Sequence, residues 1–485
     1  MRRAAFMISI SAFACAAPAY RAPEVPVPAA YDINRPTAIS AQASTTDTRG
    51  YDVPAGAVHL SESLAATPFW TSLGDTVLTE LLGEAQRANL DVRVAESRLS
   101  GARASRRLSR LDRVPTITGT GSSSRLQNSL AQTPGLSSQL PAYNLYDVGF
   151  DASWEVDFFG RVNRNVQAQG ALVESTQHGL EDVQISVASE VARTYFELRG
   201  AQRRLAVAER NATNQQKIVR LTEDRLAAGS GTAFDTERAK SVLYLTLSAT
   251  PSLEAEIAAD RNQLAVLLGK SPDGLPATLL DSAPLPRLPD TLYVGSPEQL
   301  VRRRPDVLQA ERLYAARSLF VGAARAEYLP RVTLGARMGY TSTTVDSLFK
   351  RGNSRLLFGP IVSFPLFDIG RVRERVEIAT AGQEEAQAQY NATALGALAE
   401  SQAALVAYDR AHARLTILEN AVRSSERAAD LAQQRFEAGL TDFLQVLDAQ
   451  RTVLDAENQL AFGRTAAATA LVAAYKAVGG TWPIR

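Results

Sequence analysis

The chain has 485 residues, 45% hydrophobic and 21% charged, so it carries enough apolar surface for a buried core. Its 52 basic and 51 acidic residues leave a formal net charge of +1, which gives no electrostatic reason for a nucleic-acid partner. Three methionines, three histidines and one cysteine leave little material for metal or redox chemistry.

Arg2 and Arg3 form a basic start, and Ala4 to Ala14 are apolar or small, the pattern of an export signal over residues 1–14. Cys15, the only cysteine, closes the apolar run. It has no partner for an internal disulfide, and it stands where a bacterial lipoprotein cysteine is cleaved and acylated. Ala12-Phe13-Ala14 departs from the usual Leu-Ala/Ser-Gly lead-in and equally suits ordinary cleavage after small residues, so both readings stand. Residues 15–70 follow as an extended tail marked by Pro18, Pro23, Pro26, Pro28, Pro36 and Pro54. No uncharged apolar run long enough for a spanning helix follows the signal. Crossing a bilayer would then take a closed β-barrel, because lipid cannot satisfy an open strand edge.

An internal duplication organises the rest. Asp91-Val92, Glu96 and Pro115 recur as Asp306-Val307, Glu311 and Pro330 at one offset. Gly160-Arg161-Val162, Arg225, Gly229 and Gly269 recur as Gly370-Arg371-Val372, Arg435, Gly439 and Gly479 at a slightly smaller one. The second copy has therefore lost a few residues between Pro330 and Gly370, as a shortened surface loop would. The first copy spans 71–270, a proline-dense linker 271–297, and the second copy 298–480.

Each copy predicts the same elements in chain order. A helix covers Asp91–Asp112 and Asp306–Glu327, ended by Pro115 and Pro330. Strand pairs follow over about 114–158 and 330–367. Long helices then cover Arg161–Ala228 and Arg371–Ala438, free of interior proline and crowded with Ala, Gln, Glu, Arg and Leu. Each would reach roughly 100 Å, far beyond a globular helix. Gly229 and Gly439 sit where a C-terminal cap is needed, and return helices cover Ala233–Leu268 and Asp442–Val478.

The strands alternate. Val148, Phe150, Ala152, Trp154, Val156 and Phe158 interleave with Asp147, Gly149, Asp151, Ser153, Glu155 and Asp157. Val332, Leu334, Ala336, Met338 and Tyr340 interleave with Arg331, Thr333, Gly335, Arg337 and Gly339. A soluble sheet with one face on a core fits this alternation. An outer-membrane wall fits it too, with charges on a wet lumen and about ten residues per strand. Four strands are too few to close a barrel with a usable interior, so the barrel reading requires several copies; three would give twelve strands.

Other motifs carry no chemistry. Gly269-Lys270-Ser271 lacks the first glycine of a phosphate loop, and a helix precedes it instead of a strand. His59, His178 and His412 have no ligand-spaced partners, and Arg302-Arg303-Arg304 reads as a solvated charge run. With no nucleophile–base pair or metal cluster, the chain does not read as an enzyme, and no cofactor is expected beyond a covalent lipid.

The chain resembles the TolC-like outer membrane factor family, in particular its OprM-like lipoprotein branch serving resistance-nodulation-division efflux pumps. The resemblance covers nearly all of it. It rests on Cys15 with Pro18-Ala19-Tyr20-Arg21-Ala22-Pro23, Arg304-Pro305-Asp306-Val307, Asp157-Phe158-Phe159-Gly160-Arg161, and Ala438-Gly439 through Leu444-Gln445-Val446-Leu447-Asp448-Ala449-Gln450-Arg451. It implies an α+β membrane protein: a homotrimer with a twelve-stranded β-barrel in the outer membrane, continued by a long α-helical barrel into the periplasm. It also implies a palmitate-type lipid on Cys15 and a periplasmic gate at Leu444, Asp448 and Arg451. The partners would be a periplasmic adaptor (membrane fusion) protein, an inner-membrane RND transporter and outer membrane lipid, with no nucleic acid. The function implied is the passive duct of a drug efflux pump conferring antibiotic resistance. The alternative is a TolC-type channel for protein or peptide secretion with an ABC exporter. Leu444, Asp448 and Arg451 lie at i, i+4 and i+7 on one helix face, so an ordinary amphipathic helix with a surface Asp–Arg pair also fits them.

Overall fold

The computed structural model describes residues 69–480 except 130, 132–134, 136–137 and 140, together with 26–28, 30–31 and 58–61. Cys15 and the signal lie outside the described residues. In chain order the elements are β1 (His59–Ser61), α1 (Phe69–Ser72), α2 (Thr76–Ala88), α3 (Leu90–Leu111), β2 (Thr116–Leu126), β3 (Tyr143–Val156), α4 (Arg161–Ala227), α5 (Ala233–Leu267) and β4 (Thr291–Tyr293). The second copy continues with α6 (Pro297–Arg303), α7 (Pro305–Ala326), β5 (Arg331–Ser342), β6 (Ser354–Ser363), α8 (Ile369–Glu437) and α9 (Phe443–Ala477). The chain falls into two compact units, and each draws on both copies.

Among the described residues the first unit holds Leu99–Thr176 and Ala310–Tyr390. Its centre is one antiparallel sheet in the order β2-β3-β5-β6. The loop 343–353 of the second copy is shorter than its counterpart 127–142, which is where the residues missing from the duplication are found. Helix ends pack beside one another in this unit through small residues: Ala171 of α4 clusters with Ala315 and Ala316 of α7.

The second unit holds the remaining described residues. α4 and α8, of 67 and 69 residues, run unbroken through sequences rich in strong helix formers. Gly229 and Gly439 end them with φ of +71° and +69°. The Ser230 amide donates to the Arg225 carbonyl at 2.9 Å, and the Leu440 amide to that of Arg435 at 2.8 Å, the left-handed closure that only glycine makes cheaply. The return helices start on side-chain caps: Thr232 and Asp235 cap each other's backbone, and Asp442 accepts the Gln445 amide at 3.2 Å.

Two features depart from the internal symmetry. Gly160 precedes α4 with φ of +76°, whereas its counterpart Gly370 lies inside α8, which starts at Ile369. α5 continues through Pro251, where the second copy has Ala461 inside α9. Proline cannot donate to the carbonyl one turn back, so α5 lacks one backbone hydrogen bond that α9 can make.

The proline-dense linker is fastened to both long helices. Arg199 of α4 is 1% exposed. It donates to the carbonyls of Asp281 at 2.6 Å and Thr278 at 3.0 Å, and Gln202 donates to that of Leu279 at 2.8 Å. On α8, Tyr408 donates to the Pro289 carbonyl at 2.7 Å, and buried Asp409 accepts the Val58 amide at 3.2 Å. Those contacts seat a small parallel pair, β1 on β4.

Candidate functional site

The sheet of the first unit is built as a wall with two unlike faces. Val148 stands opposite Tyr340, Phe150 opposite Met338, Trp154 opposite Leu334 and Val156 opposite Val332. Both alternating patterns read from the sequence therefore fall on one apolar face, continued on β6 by Leu356, Phe358 and Val362. The opposite face is an acid–base lattice. Asp147 accepts from Thr341 at 2.6 Å and pairs with Arg355 at 2.5 Å. Asp151 stands opposite Arg337, with the ions 3.5 Å apart. Glu155 receives both fork nitrogens of Arg161 at 2.9 and 2.7 Å and lies 3.5 Å from Arg331. Every acid of β3 thus has a basic partner, so this face is polar and charge-balanced where the other is apolar.

β2 and β6 are the sheet edges, each with one side unpaired among the described residues. In lipid such open edges would leave amides and carbonyls without partners, so a membrane wall made of this sheet would need β2 of one copy to meet β6 of the next. Among the described residues no helix is long and apolar enough to cross a membrane.

The second candidate site is the start of α9 in the second unit. Val446 and Leu447 are buried there, Leu444 is half-buried, and Asp448 and Arg451 are exposed. Asp448 and Arg451 make no ion pair within the chain among the described residues, so the surface Asp–Arg pair left open by the sequence does not form. The helix ends around this face touch: the Arg225 guanidinium lies 4.8 Å from the centre of the Phe436 ring, and Phe436 packs against Phe443 at 5.3 Å. Beside them Phe234 and Leu440 project, both largely exposed. Sequence reasoning missed the contact of Arg225 with Phe436 and the exposure of Phe234 and Leu440; the available signal was large apolar residues close to the capping glycines Gly229 and Gly439. It also missed Arg355 and the Glu155–Arg161 fork, which need the strand register to be seen.

These features recur in known proteins. A family model described as outer membrane efflux protein matches residues 81–270 and 296–480, most of both copies. The chain belongs to the outer membrane efflux protein family. It is 32% identical over 420 residues to outer membrane protein OprJ of Pseudomonas aeruginosa, covering 85% of this chain and 86% of that protein. It is 27% identical over 478 residues to the cation efflux system protein CusC of Escherichia coli, covering 98% of each. Among solved structures it superposes on the outer-membrane channel OprN with a TM-score of 0.85 at 34% identity, over 96% of this chain and 99% of that one. An outer membrane efflux protein of this fold is trimeric, with four strands per chain in a twelve-stranded barrel and long helices in a helical barrel. The paired faces of β3 and β5 are then the lipid side and the lumen side of the wall. The chain is an efflux channel of the outer membrane.

Proposed function

We propose that this channel is the passive exit duct of a tripartite pump for drugs and other small organic toxicants. It is closed at its periplasmic end by a ring of Leu444, Asp448 and Arg451 from three copies. The carrying observation is the start of α9: an exposed Asp448 and Arg451, in no ion pair among the described residues, beside a half-buried Leu444 on one helix face. Three-fold symmetry brings three such faces together. The leucines narrow the opening, and Asp448 of one copy and Arg451 of the next latch it. Opening slides the helix pairs that turn at Gly229 and Gly439, because packed helices switch between discrete arrangements.

Energy comes from partners, an inner-membrane RND transporter working through a periplasmic adaptor protein. Exposed Phe234 and Leu440 at the helix turns offer that adaptor apolar contacts. Acylated Cys15 anchors the chain to the outer membrane. Sparse methionine, histidine and cysteine favour organic cargo over soft metal ions, although the relative CusC is named for cation efflux.

Deleting the gene and measuring growth inhibition across a panel of antibiotics, solvents, detergents and metal salts tests the cargo. Sensitivity to several organic compounds, restored by the intact gene, is the expected result. Unchanged sensitivity together with loss of a secreted protein would place the channel with an ABC exporter instead.

A further inference from the structure

Within the first unit α4 is flanked by two helices. On one side a Cβ at Gly170 would lie 3.5 Å from Nε of Arg106 on α3. On the other, Ala171 packs on Ala315 and Ala316 of α7, and Arg164 donates to the Gly322 carbonyl at 2.9 Å. α8 meets α7 through Gln383, which donates to the Tyr314 hydroxyl at 3.4 Å. The row α3–α4–α7–α8 thus ends in two helices, each with one side uncovered by the other described residues. Leu108 of α3 is 68% exposed and Ile378 of α8 is 73% exposed.

The duplication supplies the missing contact. α7 is the counterpart of α3, and α4 is the counterpart of α8. In the offsets that relate the copies, Ala316 corresponds to Gly101, Gly322 to Arg107, Ala171 to Ala381 and Arg164 to Glu374. We infer that α3 of one copy packs antiparallel against α8 of the next, with Gly101 opposite Ala381 and Arg107 opposite Glu374. The inference rests on the three-copy barrel and adds the residues that key it.

Three observations support this seam. Gly101, Ala104, Leu108 and Leu111 recur at the three-four spacing of a coiled-coil stripe, as do Glu374, Ile378, Ala381, Glu385 and Ala388. The charges beside the stripes are complementary. Arg103, Arg107 and Arg110 are exposed on α3, Glu374, Glu377 and Glu384 on α8, and none is in an ion pair among the described residues. Of the arginines exposed on the same turns of α8, Arg371 and Arg375 pair with Asp368 and Glu327, which leaves Arg373 against these three glutamates, a net negative balance. The seam also continues the join between strands, because α3 leads into edge strand β2 and edge strand β6 leads into α8. Inside the chain the equivalent seam lacks this charge pair, since Gly322 replaces Arg107 and Arg164 replaces Glu374. An α3–α3 contact would set arginines against arginines, so the charges select the head-to-tail ring.

Paired cysteines test the register. Purified Gly101→Cys/Ala381→Cys protein should form a disulfide between copies on oxidation, identified by mass spectrometry of the linked peptides. Gly101→Cys/Ala388→Cys, displaced by about 10 Å along α8, should not. Arg107→Glu should lower the trimer fraction in detergent by about fivefold, and adding Glu374→Arg should restore it. A trimeric wild type whose matched cysteines fail to link, or whose trimer ignores both charge changes, overturns the seam alone. A wild type that stays monomeric overturns the barrel reading beneath it.

Discussion

Arg304 donates to the carbonyl of Ala477 at 2.7 Å, fixing the last turn of α9 to the start of α7. The duplication places Arg304 opposite Asn89, and Asn89 donates to the Leu267 carbonyl at 2.9 Å, at the same point of α5. Each copy thus satisfies a terminal carbonyl of its return helix with the residue that opens its short helix. Arg304 does more than Asn89: it also forms a fork on Asp306, at 3.0 and 2.8 Å, and reaches Glu400 at 2.7 Å. Burial works against its charge, and those two carboxylates outweigh burial and raise its pKa. Arg304→Ala should cost about 2 kcal/mol or more, because it orphans a helix terminus and two partly buried acids. Arg304→Lys should recover little, having no fork to offer. Thermal unfolding of the detergent-solubilised protein measures both.

Gly200 on α4 faces Thr465 on α9 so closely that a Cβ there would sit 2.1 Å from the threonine hydroxyl. Alanine in place of a helical glycine ordinarily gains up to about 1 kcal/mol. Here overpacking, at about 1–3 kcal/mol, outweighs that gain, so Gly200→Ala should lower the melting temperature. Adding Thr465→Ala removes the hydroxyl and methyl but leaves the residue's own Cβ 2.9 Å away, so it should return only part of the loss, a coupling that a double-mutant cycle reads directly.

Asp260 on α5 has its carboxyl pushed up to about 6, first by burial and then by the charges of Glu197 and Glu256. A carboxylate whose folded pKa lies above its unfolded value gives stability that is complete below the unfolded pKa of about 3.9 and is lost as pH rises through about 6. The wild type should therefore melt at a higher temperature at pH 5 than at pH 7.5, as far as this group decides it. Asp260→Asn should raise the melting temperature at pH 7.5 and change it little at pH 4. An equal effect at both values would show that the carboxyl is not held up by its surroundings.

Cys15→Ser should leave the trimer and its conductance intact while abolishing incorporation of labelled palmitate into the mature chain. Retained label would place the lipid elsewhere.

The large elements were legible because their signals are local. The absence of interior proline and the abundance of helix formers mark α4 and α8, and Gly229 and Gly439 mark their ends. The period-two pattern around Trp154 and Leu334 fixes the faces of β3 and β5. What escaped depends on contacts far apart in sequence. β1 and β4 are three residues each and exist because Asp409 holds the Val58 amide and their backbones pair. Arg199 looks like any helix-surface arginine until the linker carbonyls of Thr278 and Asp281 fold onto it. Helix α5 runs on through Pro251 because packing of residues such as Leu243 and Leu253 outweighs one lost hydrogen bond. At the start of α9 the sequence supplied the face of Leu444, Asp448 and Arg451; the proposed ring would draw its other members from neighbouring copies, which no local pattern can reveal.

The most direct test is single-channel recording of the purified trimer in a planar lipid bilayer, comparing wild type with Asp448→Ala and Arg451→Ala. A small or intermittent wild-type conductance that rises several-fold in both variants is the outcome expected of a pore latched at α9. Trimeric protein that inserts into the bilayer yet passes no current in any of the three forms would contradict an open duct through the twelve strands.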